Sequence, residues 1–285
     1  MRRKTRGKGV KNKMVKIIDL DRLFDKYIEK YVYDNVGKIK PEEIEDKIPV
    51  LYGEFGDTPS PDLDGKTPNG YYRQFAPEDL LAALKEHLAR GVEVSDFLVE
   101  AITSQIASVK PIKAALMQDD DEQFTAYLMN MLGDLKAEIP VERYLEFALY
   151  DYPENIGELA TEALADNADR AKAAVLKCFD TADERGKGRL CEILARVSEK
   201  TDDVFDTLVR EFVNHKKEIP LYANYLARYG DSRAIPVLKT AIEGKVNYME
   251  FEELKFAIEV LGGEYDEKRD FTEDALYKKI KGERK

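Results

Sequence analysis

The sequence predicts an all-α protein whose C-terminal part is a solenoid of stacked helical hairpins, and three observations predict it. Apolar residues recur at three- and four-residue spacing, with helix caps between the runs. From about residue 119 the helix endings repeat at a nearly constant separation. Charged residues make up 35% of the 285, above the roughly 25% of ordinary soluble domains, which suits an elongated stack of helices and equally one helix-rich globule.

Residues 1–16 hold eight basic residues and no acid. Without them, 37 basic residues stand against 56 acidic ones, so residues 17–285 carry −19 although the whole chain carries −11. A body of that charge repels phosphate backbones and favours basic or neutral partners. Only the N-terminal segment, residues 1–13, suits RNA, DNA or an anionic surface. The alternatives are a disordered solubilising tail, or a start at Met14, which opens the amphipathic run "MVKIIDLDRLFDKYIEKYV". Leu20, Leu23, Phe24, Tyr27, Ile28 and Tyr31 form one face of that helix.

A second helix is expected from Pro41, with Glu42 and Glu43 in its first turn. Residues 55–66, "FGDTPSPDLDGK", are the longest break and the candidate domain boundary within this part of the chain. Thr67 caps "PNGYYRQF", and Leu80, Leu81, Leu84 and Leu88 stripe a helix that stops at Gly91. Ser95 caps the next, with Leu98, Ala101 and Ile102 inward. Residues 14–118 therefore read as a helical N-terminal region without a repeat.

Residues 119–285 read as the repeat region. Leu132, Leu164, Val197, Tyr229 and Leu261 each end a helix, at separations of 32, 33, 32 and 32 residues. A further helix starts a few residues after each, so every period is expected to hold one hairpin that buries its apolar faces against its neighbours. In "IPLYANYLARYGDSRAIPVLKTAIE", residues 219–243, Tyr222, Tyr225, Leu226 and Tyr229 share one helix face. Gly230 suits a helix end, Asp231 or Ser232 a cap, and Pro236 an early turn.

The joint Leu226, Gly230, Asp231, Arg233, Ala234, Ile235, Pro236 and Leu238 resembles that of bacterial HEAT-like repeats. The resemblance is specific over residues 219–263 and weaker back to about 120; "EALADNADRAKAAVLKCF" at 162–179 lacks the Gly and Pro. It implies a right-handed α-α superhelix, one of whose faces binds another macromolecule. The family also includes enzymes, among them DNA-alkylation repair glycosylases, so the fold alone does not assign function.

No catalytic, cofactor-binding or metal-ligating residue is nominated. "DGKT" at 64–67 lacks the upstream Gly of a phosphate loop, holding Ser60 there, and reads as a turn and cap. "RGKGR" at 185–189 reads as an inter-helix turn. Asp119, Asp120, Asp121 and Glu122 lack the Gly and Glu of a Ca²⁺ loop and read as a helix start. His87 and His215 stand without a metal motif and read as surface residues. Cys178 and Cys191 read as small core residues in a reducing compartment. Most tyrosines of the repeats read as core, whereas Tyr150 and Tyr152, in the turn "LYDYPEN", read as exposed contact residues. The sequence thus leads to a cytoplasmic, non-catalytic scaffold for a protein or peptide partner, without membrane or cofactor. A HEAT-like-repeat enzyme or nucleic-acid-binding protein is the alternative.

Overall fold

The computed structural model describes residues 14–37, 42–119, 121–150 and 152–282. The basic segment 1–13, Pro41 and Asp120 lie outside them. Among the described residues there are sixteen α-helices, four short 3-10 turns and no strand beyond an isolated bridge between Ser60 and Lys66. No helix among them is long and apolar enough to cross a membrane. The chain divides into two compact units, Met1–Glu138 and Ile139–Lys285.

The first unit holds α1 (Leu20–Asp34), α2 (Glu42–Gly56), α3 (Pro68–Tyr71), α4 (Pro77–Arg90), α5 (Asp96–Thr103), α6 (Val109–Leu116) and α7 (Glu122–Asp134). The first helix begins at Leu20 rather than Met14, because the Asp19 carboxylate accepts the Arg22 amide at 2.8 Å and caps it there. The half-buried face of α1 then meets an aromatic cluster in which Phe24 lies 4.9 Å from Tyr52 and 5.4 Å from Phe55. Phe97 of α5 closes it, 5.1 Å from Tyr52.

Residues 55–66, expected as a boundary, lie inside this unit. The Ser60 amide donates to the Lys66 carbonyl at 2.9 Å, Leu63 is buried, and Asp64 and Gly65 take the left-handed backbone the turn requires. Lys16 clasps this loop from outside: its amide donates to the Tyr71 hydroxyl at 3.0 Å and its ammonium to Asp64 at 2.7 Å. Thr67 caps α3 as the sequence predicts, and Asp121 caps α7.

His87 corrects the sequence reading. It lies at helical spacing from Leu80 and Leu84 on the inward face of α4 and is fully buried. Its Nδ1 faces the Glu93 carbonyl at 3.0 Å, which fixes the proton on Nδ1, while Nε2 has no partner. Burial, opposed by that hydrogen bond, holds its pKa below the usual histidine value.

The second unit runs α8 (Val141–Leu149), α9 (Glu154–Asp166), α10 (Ala168–Phe179), α11 (Glu184–Leu194), α12 (Asp202–Asn214), α13 (Ile219–Tyr229), α14 (Ile235–Glu243), α15 (Tyr248–Val260) and α16 (Ala275–Gly282). Leu164, Val197, Tyr229 and Leu261 are buried at the ends of α9, α11, α13 and α15, and Leu132 is buried at the end of α7 in the first unit. Each helix of the series α9, α11, α13 and α15 packs on the next. The most extensive neighbour pairings are α8 with α9, α10 with α11, α12 with α13 and α14 with α15. The anchors therefore stand at the joints between these pairs. The α13 and α14 segments, assigned to one hairpin from sequence, pack chiefly on other helices.

Polar bonds bridge these joints at a recurring separation. Arg189 donates to Glu154 at 2.6 Å, 35 residues away, and Arg196 to Asp166 at 2.6 Å, 30 away. Lys172 reaches Glu199 over 27 residues and Arg210 reaches Asp180 over 30. The Tyr229 hydroxyl accepts the Thr201 amide at 2.8 Å over 28, and Arg233 reaches Asp202 over 31. These separations, 27 to 35 residues, bracket the 32 or 33 of the anchors.

Candidate functional site

The segment "DERGKGR" is helical, not a turn. Asp183 accepts the Gly186 amide at 2.7 Å and starts α11, and a side chain at Gly186 would come within 2.9 Å of Leu149. Packing against α8 thus keeps a glycine in a helix that its propensity alone disfavours. The consequence is that Glu184 and Lys187 stand about one turn apart on one face of a helix, while Arg189 points to another.

Across from them, α12 presents Arg210 and Glu211 and ends in His215. The His215 ring stacks on Tyr222 of α13, with centroids 4.2 Å apart and planes at 13°. Its Nδ1 lies 2.8 Å from the Glu211 carbonyl oxygen and its Nε2 2.9 Å from the Glu184 carboxylate. Both nitrogens thus face acceptors, and only the imidazolium donates to both. Burial is the largest influence on its pKa and acts downward. The Glu211 carbonyl, the Glu184 hydrogen bond and the charges of Glu211 and Glu184 together outweigh it and raise the pKa above the usual value. Lys187, at 2.9 Å, and then His215 hold Glu184 below its ordinary range.

The Glu211 side chain is only 5% exposed; Arg210 Nε lies 3.1 Å away and His215 Nδ1 3.7 Å away. These groups, with Asp180 and Asn214, line a cleft of about 310 Å³. Protonated His215, Lys187 and Arg210 balance Asp180, Glu184 and Glu211, each acid having one of the cations within ion-pair distance. The histidine expected on the surface is thus the hub of a tie among α11, α12 and α13. The signal for it was its period: Glu184 precedes His215 by 31 residues.

Cys191 is fully buried, and burial raises its thiol pKa, keeping it protonated. Burial likewise raises the pKa of Cys178. Among the described residues no group of three or more His, Cys, Asp or Glu side chains is arranged to hold a metal. The cleft can bind or release a proton and can couple three helices.

A neighbouring cleft of about 250 Å³ is lined by Ala148, Leu149, Tyr150, Asp183, Arg185, Gly186 and Arg189. Tyr150, 67% exposed, stands at its edge as the sequence reading expects. Tyr152 does not share that exposure: its ring packs edge-on to Phe147 at 4.8 Å and its hydroxyl accepts from Arg143 at 3.2 Å. Arg143 itself is mostly buried, its guanidinium 4.3 Å from the centre of the Phe147 ring. The two tyrosines read together from the sequence therefore separate, one into a packed cluster and one to the surface.

No protein-family model matches the chain, and neither the curated proteins nor the solved structures include a match to it.

Proposed function

We propose that the second unit is a right-handed HEAT-like solenoid, and that the protein is a cytoplasmic, non-catalytic scaffold that binds a basic protein or peptide partner along its helices. The observation that carries this reading is the common length of the inter-helix bonds. Arg189–Glu154, Arg196–Asp166, Lys172–Glu199, Arg210–Asp180, His215–Glu184, Tyr229–Thr201 and Arg233–Asp202 span 27 to 35 residues, around the 32 or 33 of the buried anchors. A chain whose contacts recur at one separation touches mainly its sequence neighbours, which is the defining property of a repeat stack.

The net charge of −19 over residues 17–285 supports a basic partner, since opposite charge steers association and like charge excludes wrong partners. The test is affinity capture by the full chain from a nuclease-treated lysate of its native host, eluted with rising salt. A basic protein released at moderate salt is the expected outcome. Recovery of nucleic acid alone, or of nothing above a control resin, overturns the reading.

A further inference from the structure

Successive residues of a helix turn by about 100°, which places Met249, Phe256 and Val260 of α15 within one narrow arc. All three are about half-exposed, at 52%, 53% and 52%. The opposite arc, with Phe251, Leu254, Ala257, Ile258 and Leu261, is buried against the rest of the unit. So α15 is apolar on two sides, only one of which the fold covers. Glu252 and Glu259 border the exposed stripe on one side and Glu253 borders it on the other. Lys255 is the single cation of the helix, 3.8 Å from Glu259, whereas Glu252 and Glu253 make no ion pair among the described residues. Glu250 is spent within the helix, closing the capping box with Asn247.

We infer that this stripe is the docking surface for a basic amphipathic helix of another protein, a specification of partner and place that rests on the scaffold reading above. Steps of seven and four residues are those of a helix-in-groove seam, which a partner fills with apolar side chains at matching spacing. The acidic borders select Lys and Arg on both flanks of the incoming helix. Charge also argues against the other occupants. A second copy packed two-fold on the stripe sets Glu252, Glu253 and Glu259 near their own counterparts. The chain's own residues 1–13 are basic, but they contain Met1 and Val10 alone as large apolar side chains, so they bring no stripe to cover Phe256.

The probe is a fluorescent synthetic helix of roughly eighteen Leu and Lys residues, long enough to hold its shape, with Leu at the seam positions. It is titrated against the full chain, beside the same helix with Glu for Lys. Binding of the Lys helix that weakens with salt, with none of the Glu helix, is expected. The double variant Phe256→Ser/Val260→Ser, with unchanged circular dichroism because both residues are half-exposed, is expected to weaken binding roughly tenfold. Undiminished binding by that variant overturns the placement on α15. Absence of any binding by the native chain overturns the partner class, while the lysate capture still decides the scaffold reading on its own. Sedimentation as a dimer that Phe256→Ser converts to a monomer overturns the proposal in favour of a second copy.

Discussion

Helices of similar length build both units, but their long-range bonds are distributed differently. In the first unit the separations scatter: Lys16 reaches Tyr71 over 55 residues and Asp64 over 48, Lys85 reaches Asp119 over 34, Arg73 reaches Glu100 over 27 and Asn69 reaches Asp57 over 12. In the second, one bond after another spans close to one anchor interval. Exposed ion pairs of this kind contribute about 0–1 kcal/mol each, so they do not explain stability in either unit. What they carry is register. In the first unit the longest of them tie the segment before α1 to the loop ahead of α3, whereas in the second they run mainly between helices one or two elements apart, and the apolar core supplies the energy.

The sharpest test of that difference uses two tyrosines with the same chemistry. Tyr229 and Tyr71 are both buried, and each hydroxyl accepts a distant backbone amide, from Thr201 and Lys16 respectively. Thr201 is half-buried at a joint, while Lys16 is exposed and its amide can turn to water. Tyr229→Phe is expected to cost about 1–3 kcal/mol and Tyr71→Phe less than about 1, measured by denaturant unfolding of each variant. Equal costs would mean that the joints of the second unit are no more constrained than the clasp of the first.

The next effect is smaller and is read in pH. The chain has two histidines, one in each unit, and their shifts are opposite. His215, with its pKa raised, adds stability that is complete below about pH 6.5 and is lost as pH climbs through its folded value. His87, with its pKa lowered, adds stability present above about pH 6.5 and lost as pH falls through its folded value. His215→Gln is therefore expected to lower Tm more at pH 5.5 than at pH 8, and His87→Gln more at pH 8 than at pH 5.5. Two variants with the same pH slope would refute the opposite assignment.

Smallest is a pair of glycines in the second unit. A side chain at Gly188 meets nothing, so Gly188→Ala is expected to stabilise by about 0.5–1 kcal/mol through helix propensity alone. At Gly157 the added carbon would meet the Arg189 guanidinium, which Glu154 and the Ala148 carbonyl hold in place. The same gain is then offset by a disturbed tie, and Gly157→Ala is expected to leave Tm within a degree or two of the native chain.

Much of this was legible in the sequence. The all-helical class, the Thr67 cap and the buried helix ends at Leu164, Val197, Tyr229 and Leu261 follow from spacing and composition, because local propensity and burial act together there. Phase was harder. The anchors mark joints between packed pairs, and only tertiary contacts decide which side of a joint a helix favours. "RGKGR" was misread because glycine signals a turn unless a neighbour such as Leu149 demands its small size. His87 was misread because its three-residue step from Leu84 was given less weight than its polarity. His215 was misread for a different reason: its partners lie one period away on another helix, where inspection of adjacent residues does not reach.

The Lys16 clasp has a use of its own. The peptide bond after Lys16 is a trypsin substrate, yet cleavage needs the side chain free to enter a deep pocket and the backbone free to lie as an extended strand. Its ammonium is held by Asp64 and the Asp62 carbonyl, and its amide by Tyr71. That one bond is therefore a latch whose opening can be timed, and its rate of cutting would report how often the loop beneath it lets go.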